Sequence, residues 1–160
     1  MEQSGSRGPG IRIPPPLLFV MPLLTGFIIQ HFLPIRIVTG VGAAKILGIV
    51  GEIEIIIGAS LIVWAMATFK RLRTPIIPVH PARTLAAEGP YTLTRNPMYL
   101  SLALVYLGIT FVANAFWPLL FLPEAIVLVY LLVIKVEEAY LAHEFGEAYA
   151  EYRRRVRRWI

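Results

Sequence analysis

The chain has 160 residues, of which 57% are hydrophobic and 16% are charged, and it contains no cysteine. With a mean hydropathy of +0.68, this composition excludes an ordinary soluble domain and predicts a membrane protein. The lack of cysteine also excludes a disulfide framework and a thiolate zinc site. We expect the net charge of +5 to face anionic lipid and not nucleic acid.

Four apolar runs predict about four transmembrane helices, because roughly 20 apolar residues span a bilayer. The runs are 17–33, 46–69, 98–112 and 119–134. A flexible polar tail, residues 1–16, precedes them, and a proline-rich connector, residues 74–97, separates the second run from the third. We therefore expect one all-α, polytopic membrane domain over residues 1–160.

Residues 135–160 are charged but keep an apolar stripe at helical spacing. The stripe consists of Leu141, Phe145, Tyr149, Tyr152 and Val156. It predicts that the last helix continues out of the membrane as a helical extension. The residues between the third and fourth runs, 113–118, contain asparagine and proline and predict a break between two helices.

The basic residues predict the orientation. Of the fifteen lysines and arginines, all but Arg36 and Lys45 fall on the side of the termini and the connector. The positive-inside rule therefore places both termini, the connector and any chemistry in the cytoplasm. The sequence leaves open the oligomeric state and whether the third and fourth runs cross the membrane fully.

The densest group of unusual residues lies where the connector enters the third run. It combines two turn signals, two tyrosines and one arginine: Gly89, Pro90, Tyr91, Arg95, Asn96, Pro97 and Tyr99. The planar guanidinium of Arg95 is suited to bind a carboxylate or phosphate bidentately. The alternative is that Arg95 is a positive-inside anchor and that the tyrosines form an interfacial belt.

A pair of glutamates, Glu137 and Glu138, follows the fourth run. Adjacent helix positions differ by about 100°, so the two carboxylates point in different directions. Glu137 falls on the apolar helical stripe through Tyr130, Ile134, Leu141 and Phe145, which we expect to face protein and call the inward stripe. A carboxylate there needs a cation or donor, which Arg95 or the amino group or hydroxyls of a ligand would supply. The alternative is a pair of solvated charges that contact Lys135 or His143.

The remaining polar residues predict few other sites. The histidines lack metal-ligand spacing, so no metal site is expected, and His80 in the connector is the one histidine retained as a candidate. The chain has no glycine-rich nucleotide motif and no aspartate, which excludes Rossmann and P-loop sites and disfavours aspartate–magnesium phosphoryl transfer. Three acidic residues in apolar runs are expected to be structural or interfacial: Glu52, Glu54 and Glu124.

The two clusters, in this order, resemble the isoprenylcysteine carboxyl methyltransferase and phospholipid methyltransferase group of membrane enzymes. The matching segments are Gly89-Pro90-Tyr91, Arg95-Asn96-Pro97-Met98-Tyr99, Glu137-Glu138-Ala139-Tyr140-Leu141, and Phe145-Gly146 with the downstream Tyr149 and Tyr152. The resemblance covers residues 74–152, and the first two helices match only as generic apolar spans. Asn96 stands where the isoprenylcysteine branch usually has histidine.

This resemblance implies methyl transfer from S-adenosylmethionine to a lipid-like acceptor, with S-adenosylhomocysteine as the product. It implies that Arg95 and Glu137 are catalytic and that Arg95 meets a carboxylate. The implied cofactor-binding residues are His80, Gly89, Pro90, Tyr91, Arg95, Asn96, Pro97, Tyr99, Glu137 and Glu138. Glu137 is the candidate base for an amine or thiol acceptor, and O-, N- and S-methylation all stay open.

Two other classes of function are compatible with the sequence. One is a non-catalytic membrane module whose basic segment, residues 153–158, binds anionic lipid or a partner. The other is a membrane reductase that binds a nicotinamide cofactor, which ranks last because no nicotinamide motif is visible.

Overall fold

The protein is built from helices. A computed structural model describes residue 10, residues 13–73 and residues 84–159 of the chain. These residues contain no strand and form five α-helices: α1 Leu17–Phe32, α2 Val41–Arg71, α3 Pro97–Val112, α4 Phe116–Val129 and α5 Lys135–Arg155. A 3₁₀ turn, Gly89–Thr92, precedes α3, and a π-helical turn, Tyr130–Ile134, joins α4 to α5. The all-α prediction is confirmed for this part of the chain.

Two helical segments are long and apolar enough to cross a membrane. They are α2 and the continuous segment Phe116–Arg155, which comprises α4, the π turn and α5. The helices α1 and α3 are apolar but have only 16 residues each. Many large apolar side chains are exposed on these helices, a surface that suits lipid better than water. Four complete crossings stay a prediction.

The helix boundaries follow the predicted apolar runs with one correction. Helices α1 and α3 begin and end within one residue of their runs. The predicted break over residues 113–118 is too long, because α4 already begins at Phe116. Pro118 lies in its first turn, where backbone N–H groups have no acceptor within the helix, so proline is tolerated there. The predicted continuation of the last apolar run into the charged segment is confirmed.

The helices pack as two antiparallel pairs, α1 with α4 and α2 with α3. Small residues let the second pair approach closely, since a Cβ atom on Gly51 would lie 2.6 Å from the carbonyl oxygen of Gly108. An apolar core connects the pairs through α1, α3, α4 and the π turn: Phe19, Tyr99, Tyr106, Ala125, Val129, Val133 and Ile134. This packing fixes the first turn of α3, which carries Tyr99, against the segment that leads into α5.

Helix α5 is broken at Gly146. Its φ of 49° and ψ of −123° lie outside the helical region, in a conformation that glycine adopts readily and other residues do not. Beyond the break, Tyr149 and Tyr152 are buried. The uninterrupted helical stripe from Leu141 to Val156 is therefore corrected: the helix changes direction at Gly146 and ends at Arg155.

Candidate functional site

The candidate site begins at the 3₁₀ turn, which lies against the end of α2. Gly89 has a φ of +61°, and a Cβ atom there would lie 2.6 Å from Thr68 Oγ1. Only a residue without a side chain permits this contact. Pro90 and Tyr91 are buried directly behind it, so the turn holds Tyr91 at the entrance to α3.

Tyr99 and Glu137 join α3 to α5. The Tyr99 hydroxyl donates a hydrogen bond of 2.8 Å to Glu137 Oε1. Tyr99 is thus a donor to the inward-facing Glu137 that the sequence did not predict. Arg95, one of the expected partners, pairs with Glu138 instead, and the contact of Glu137 with a ligand stays a prediction. Burial raises the pKa of Glu137 to about 7, against the hydrogen bond from Tyr99, and the negative charge of Glu138 adds to the rise. Glu137 therefore changes charge close to neutral pH.

Glu138 lies between two guanidinium groups. Its Oε1 is 3.1 Å from Arg95 Nη1. Arg158 donates to both carboxylate oxygens, from Nε to Oε1 at 3.0 Å and from Nη2 to Oε2 at 2.8 Å. Burial alone raises the pKa of Glu138, but the hydrogen bonds from Arg158 and the charges of Arg95, Arg158 and Arg153 lower it below its usual value. Glu138 is therefore ionised, whereas its neighbour Glu137 is poised to gain a proton.

Several buried polar atoms at the site lack a partner. The hydroxyl of Tyr91 and the Nε and Nη1 atoms of Arg95 are buried without a hydrogen bond to any residue that the structure describes. The Arg95 side chain is only 10% exposed. Unpaired buried donors are costly and uncommon in proteins, and a ligand that accepts hydrogen bonds is one reason for them to persist.

Residues 156–159, which we call the strap, follow α5 and run back over the site. The carbonyl oxygen of Arg158 accepts hydrogen bonds from Thr94 Oγ1 at 3.0 Å and from Asn96 Nδ2 at 2.9 Å. The backbone N–H of Arg95 donates to the carbonyl of Arg157 at 3.0 Å. Asn96, expected to line the cofactor pocket, uses its amide group to hold the strap.

The structure brings most of the predicted site residues together. Side chains from both clusters meet at one end of the helices: Tyr91, Arg95, Asn96, Tyr99, Glu137 and Glu138. Gly89, Pro90 and Pro97 shape the backbone there, and their contact with a ligand stays a prediction. His80 lies outside the described residues.

Two residues of this region, Arg158 and Thr94, are not predicted by any sequence pattern. The sequence indicates Arg158 only as part of the basic segment 153–158, because nothing in it links Arg158 to Glu138, twenty positions earlier. Thr94 carried no signal at all. Tyr152 belongs to the resembled pattern, but its role does not follow from that pattern: its hydroxyl donates to the Tyr91 carbonyl at 2.7 Å.

The arrangement favours a ligand that carries both charges of an amino acid. A carboxylate matches the unpaired donors of Arg95, and an ammonium group matches the carboxylate of Glu137. Within the described ranges there is no group of three or more histidine or acidic side chains that could hold a metal ion.

Comparison with known proteins identifies the family. The model of the phospholipid methyltransferase family matches residues 46–148, which is more than half of the chain. The chain belongs to this family, within the group that unites the isoprenylcysteine and phospholipid methyltransferases. The resemblance drawn from the two clusters is thus confirmed.

A curated relative matches a shorter part of the chain. Over 72 residues the chain is 39% identical to the cobalt-zinc-cadmium resistance protein CzcN of Cupriavidus metallidurans, a match that covers 45% of this chain and 33% of that protein. The matched part is thus about a third of that relative's length. No solved structure matches the chain.

Proposed function

We propose that the protein transfers a methyl group from S-adenosylmethionine to a lipid-like acceptor at the cytoplasmic face of a membrane. The family supports the methyltransferase class, and the apolar helices support the membrane setting. The observation that carries the cofactor assignment is the buried Arg95, with two nitrogen atoms that lack hydrogen bonds, in the same cluster as Glu137.

The residues of the site fit this cofactor. Arg95 has a free Nε donor for its carboxylate, Glu137 offers a negative charge for its ammonium group, and the unpaired Tyr91 hydroxyl is available to a further polar group. When bound, the cofactor supplies a methyl group activated by a positively charged sulfur. The contribution of the chain is to hold that group in line with the acceptor and to arrange charge around it.

The acceptor determines whether a base is needed. An isoprenylcysteine-type carboxylate attacks without losing a proton, whereas a phospholipid amine or another small hydrophobic amine, thiol or phenol must lose one. For such acceptors Glu137 is the candidate base, in place of its contact with the ammonium group, since a pKa of about 7 suits a base at neutral pH. Tyr99 orients the carboxylate through its hydrogen bond.

Transfer of labelled methyl groups into lipid extract tests this function. We expect protein in lipid nanodiscs to label a lipid fraction, and Arg95→Gln to reduce the rate at least about tenfold, because a charged hydrogen-bonding partner contributes about 1.5–3 kcal/mol. The exposed Arg154→Gln is the charge-matched control and should retain the rate.

A non-catalytic lipid-binding module gives the opposite pattern. Neutralising Arg153, Arg154 and Arg155 would then abolish function, and Arg95→Gln would be silent. No labelling by folded wild-type protein, or equal labelling by wild type and Arg95→Gln, contradicts the proposal.

A further inference from the structure

Arg95 and Arg158 share a single carboxylate. Arg158 binds both oxygens of Glu138 through two hydrogen bonds, of 3.0 and 2.8 Å. Arg95 makes an ion pair with the same group at 3.1 Å, yet its Nη1 and Nε have no hydrogen-bond acceptor in the described part of the chain. The carboxylate thus holds Arg95 in place through Nη1, and the Nε donor is left without an acceptor among the described residues.

Arg158 is itself fixed from three sides. Thr94 and Asn96 bind its backbone carbonyl, Glu138 binds its guanidinium, and the guanidinium carbon lies 5.1 Å from the centre of the Tyr130 ring. The next residue, Trp159, packs against the apolar core. The strap therefore holds the Arg158 side chain against Glu138 in a defined orientation.

We propose that Arg158 is a positioning residue of the cofactor site: by occupying both oxygens of Glu138, it leaves the Nε donor of Arg95 free for the carboxylate of the bound cofactor. This inference rests on the proposed function. It gives the two adjacent glutamates different roles, since Glu137 faces the ligand and Glu138 orients Arg95. Without Arg158, both oxygens of Glu138 are open to Arg95, whose Nε can then also donate to Glu138 and is lost to the ligand.

Two ligands that differ in the amino-acid part distinguish this role from a merely structural one. S-adenosylhomocysteine carries the carboxylate, and 5′-methylthioadenosine lacks it but keeps the nucleoside. We expect Arg158→Gln to weaken the binding of S-adenosylhomocysteine at least about tenfold and that of 5′-methylthioadenosine less than about twofold, by calorimetric titration. Arg154→Gln, with the same loss of charge on the exposed side of α5, should change neither.

A double-mutant comparison of Arg158 with Glu138 is a second test of the positioning role. In a Glu138→Gln background, adding Arg158→Gln should have little further effect on S-adenosylhomocysteine binding, because the two side chains act together. Arg158→Lys, which keeps the charge but not the two-pronged contact, should recover only part of the affinity. A thermal unfolding scan of each variant shows that it is folded.

Equal loss of both ligands, or no loss of either, would overturn the positioning role while leaving the proposed function intact. If wild-type protein binds neither ligand, the proposed function fails and this inference fails with it. The two failures are thus distinguished by the wild-type titration alone.

Discussion

Glu137 combines an acidic side chain, a hydrogen bond to Tyr99 and a pKa near 7. Such a carboxylate costs stability when it is ionised, because burial disfavours its charge. A site that binds an ammonium group or takes up a proton uses the same feature, so the cost in stability is what the proposed function predicts.

The variant Glu137→Gln tests this cost. The native protein holds the proton of Glu137 more tightly than the unfolded chain, whose reference pKa is 4.5. Native stability therefore falls as pH rises from about 4.5 to about 7, by up to about 3 kcal/mol. Glutamine mimics the protonated acid and keeps an acceptor for Tyr99, so the variant should equal wild type near pH 4 and exceed it at pH 8.

Thermal unfolding in detergent across this pH range provides the measurement. The matched control is the exposed Glu147→Gln, which should follow wild type at every pH. A Glu137→Gln variant that is less stable than wild type at pH 8 would show that the ionised carboxylate stabilises the fold.

At the residue scale, the sequence predicted which side chains lie at the site, but not which of them contact one another. The inward stripe identified Glu137 because a carboxylate on an apolar face needs a partner. It did not identify Tyr99 as that partner or Arg158 as the partner of Glu138. Both contacts join separate elements, and the strap reaches Glu138 only because α5 breaks and turns back, which residue spacing on a regular helix does not convey.

At the scale of elements, the path from α4 to Arg158 depends on two departures from regular α-helix. The π turn Tyr130–Ile134 lies directly before the glutamate pair, and such turns recur at functional sites. The break at Gly146 then redirects the second half of α5 so that the Tyr152 hydroxyl binds the Tyr91 carbonyl at 2.7 Å. Together, the π turn and the break bring α5 and the strap into contact with the 3₁₀ turn and the residues that precede α3.

The substitution Gly146→Ala isolates the second departure. A Cβ atom at this position would meet nothing within 4 Å, so the cost is the strained backbone alone. We expect the free energy of unfolding to fall by about 1–3 kcal/mol, as measured by unfolding in detergent. Ala148→Gly, two residues on, is the control for helix propensity and should cost only about 0.5–1 kcal/mol.

Unchanged stability of Gly146→Ala would contradict the break.

The boundaries of α1 and α3 could be predicted because they follow long apolar runs bounded by polar residues and proline. The break in α5 could not, because the apolar stripe keeps helical spacing on both sides of Gly146 and glycine is tolerated within helices at modest cost.

At the scale of the whole molecule, apolar helices carry a polar site at one end. The core joins α1, α3 and α4, and the charged residues of both clusters gather where α3 begins and α5 follows the π turn. In the proposed function, a water-soluble, charged methyl donor and an apolar acceptor would reach this end from two phases. Composition alone predicted the apolar helices, whereas the depth at which the site lies depends on packing that the sequence does not specify.

The most direct test of the account is calorimetric titration of the purified, folded protein with S-adenosylhomocysteine, in detergent and in lipid nanodiscs. The account predicts saturable binding at one site, affinity at least about tenfold weaker in Arg95→Gln, and unchanged affinity in Arg154→Gln. Absence of binding in both environments, or equal affinity of wild type and Arg95→Gln, would contradict a cofactor site at Arg95.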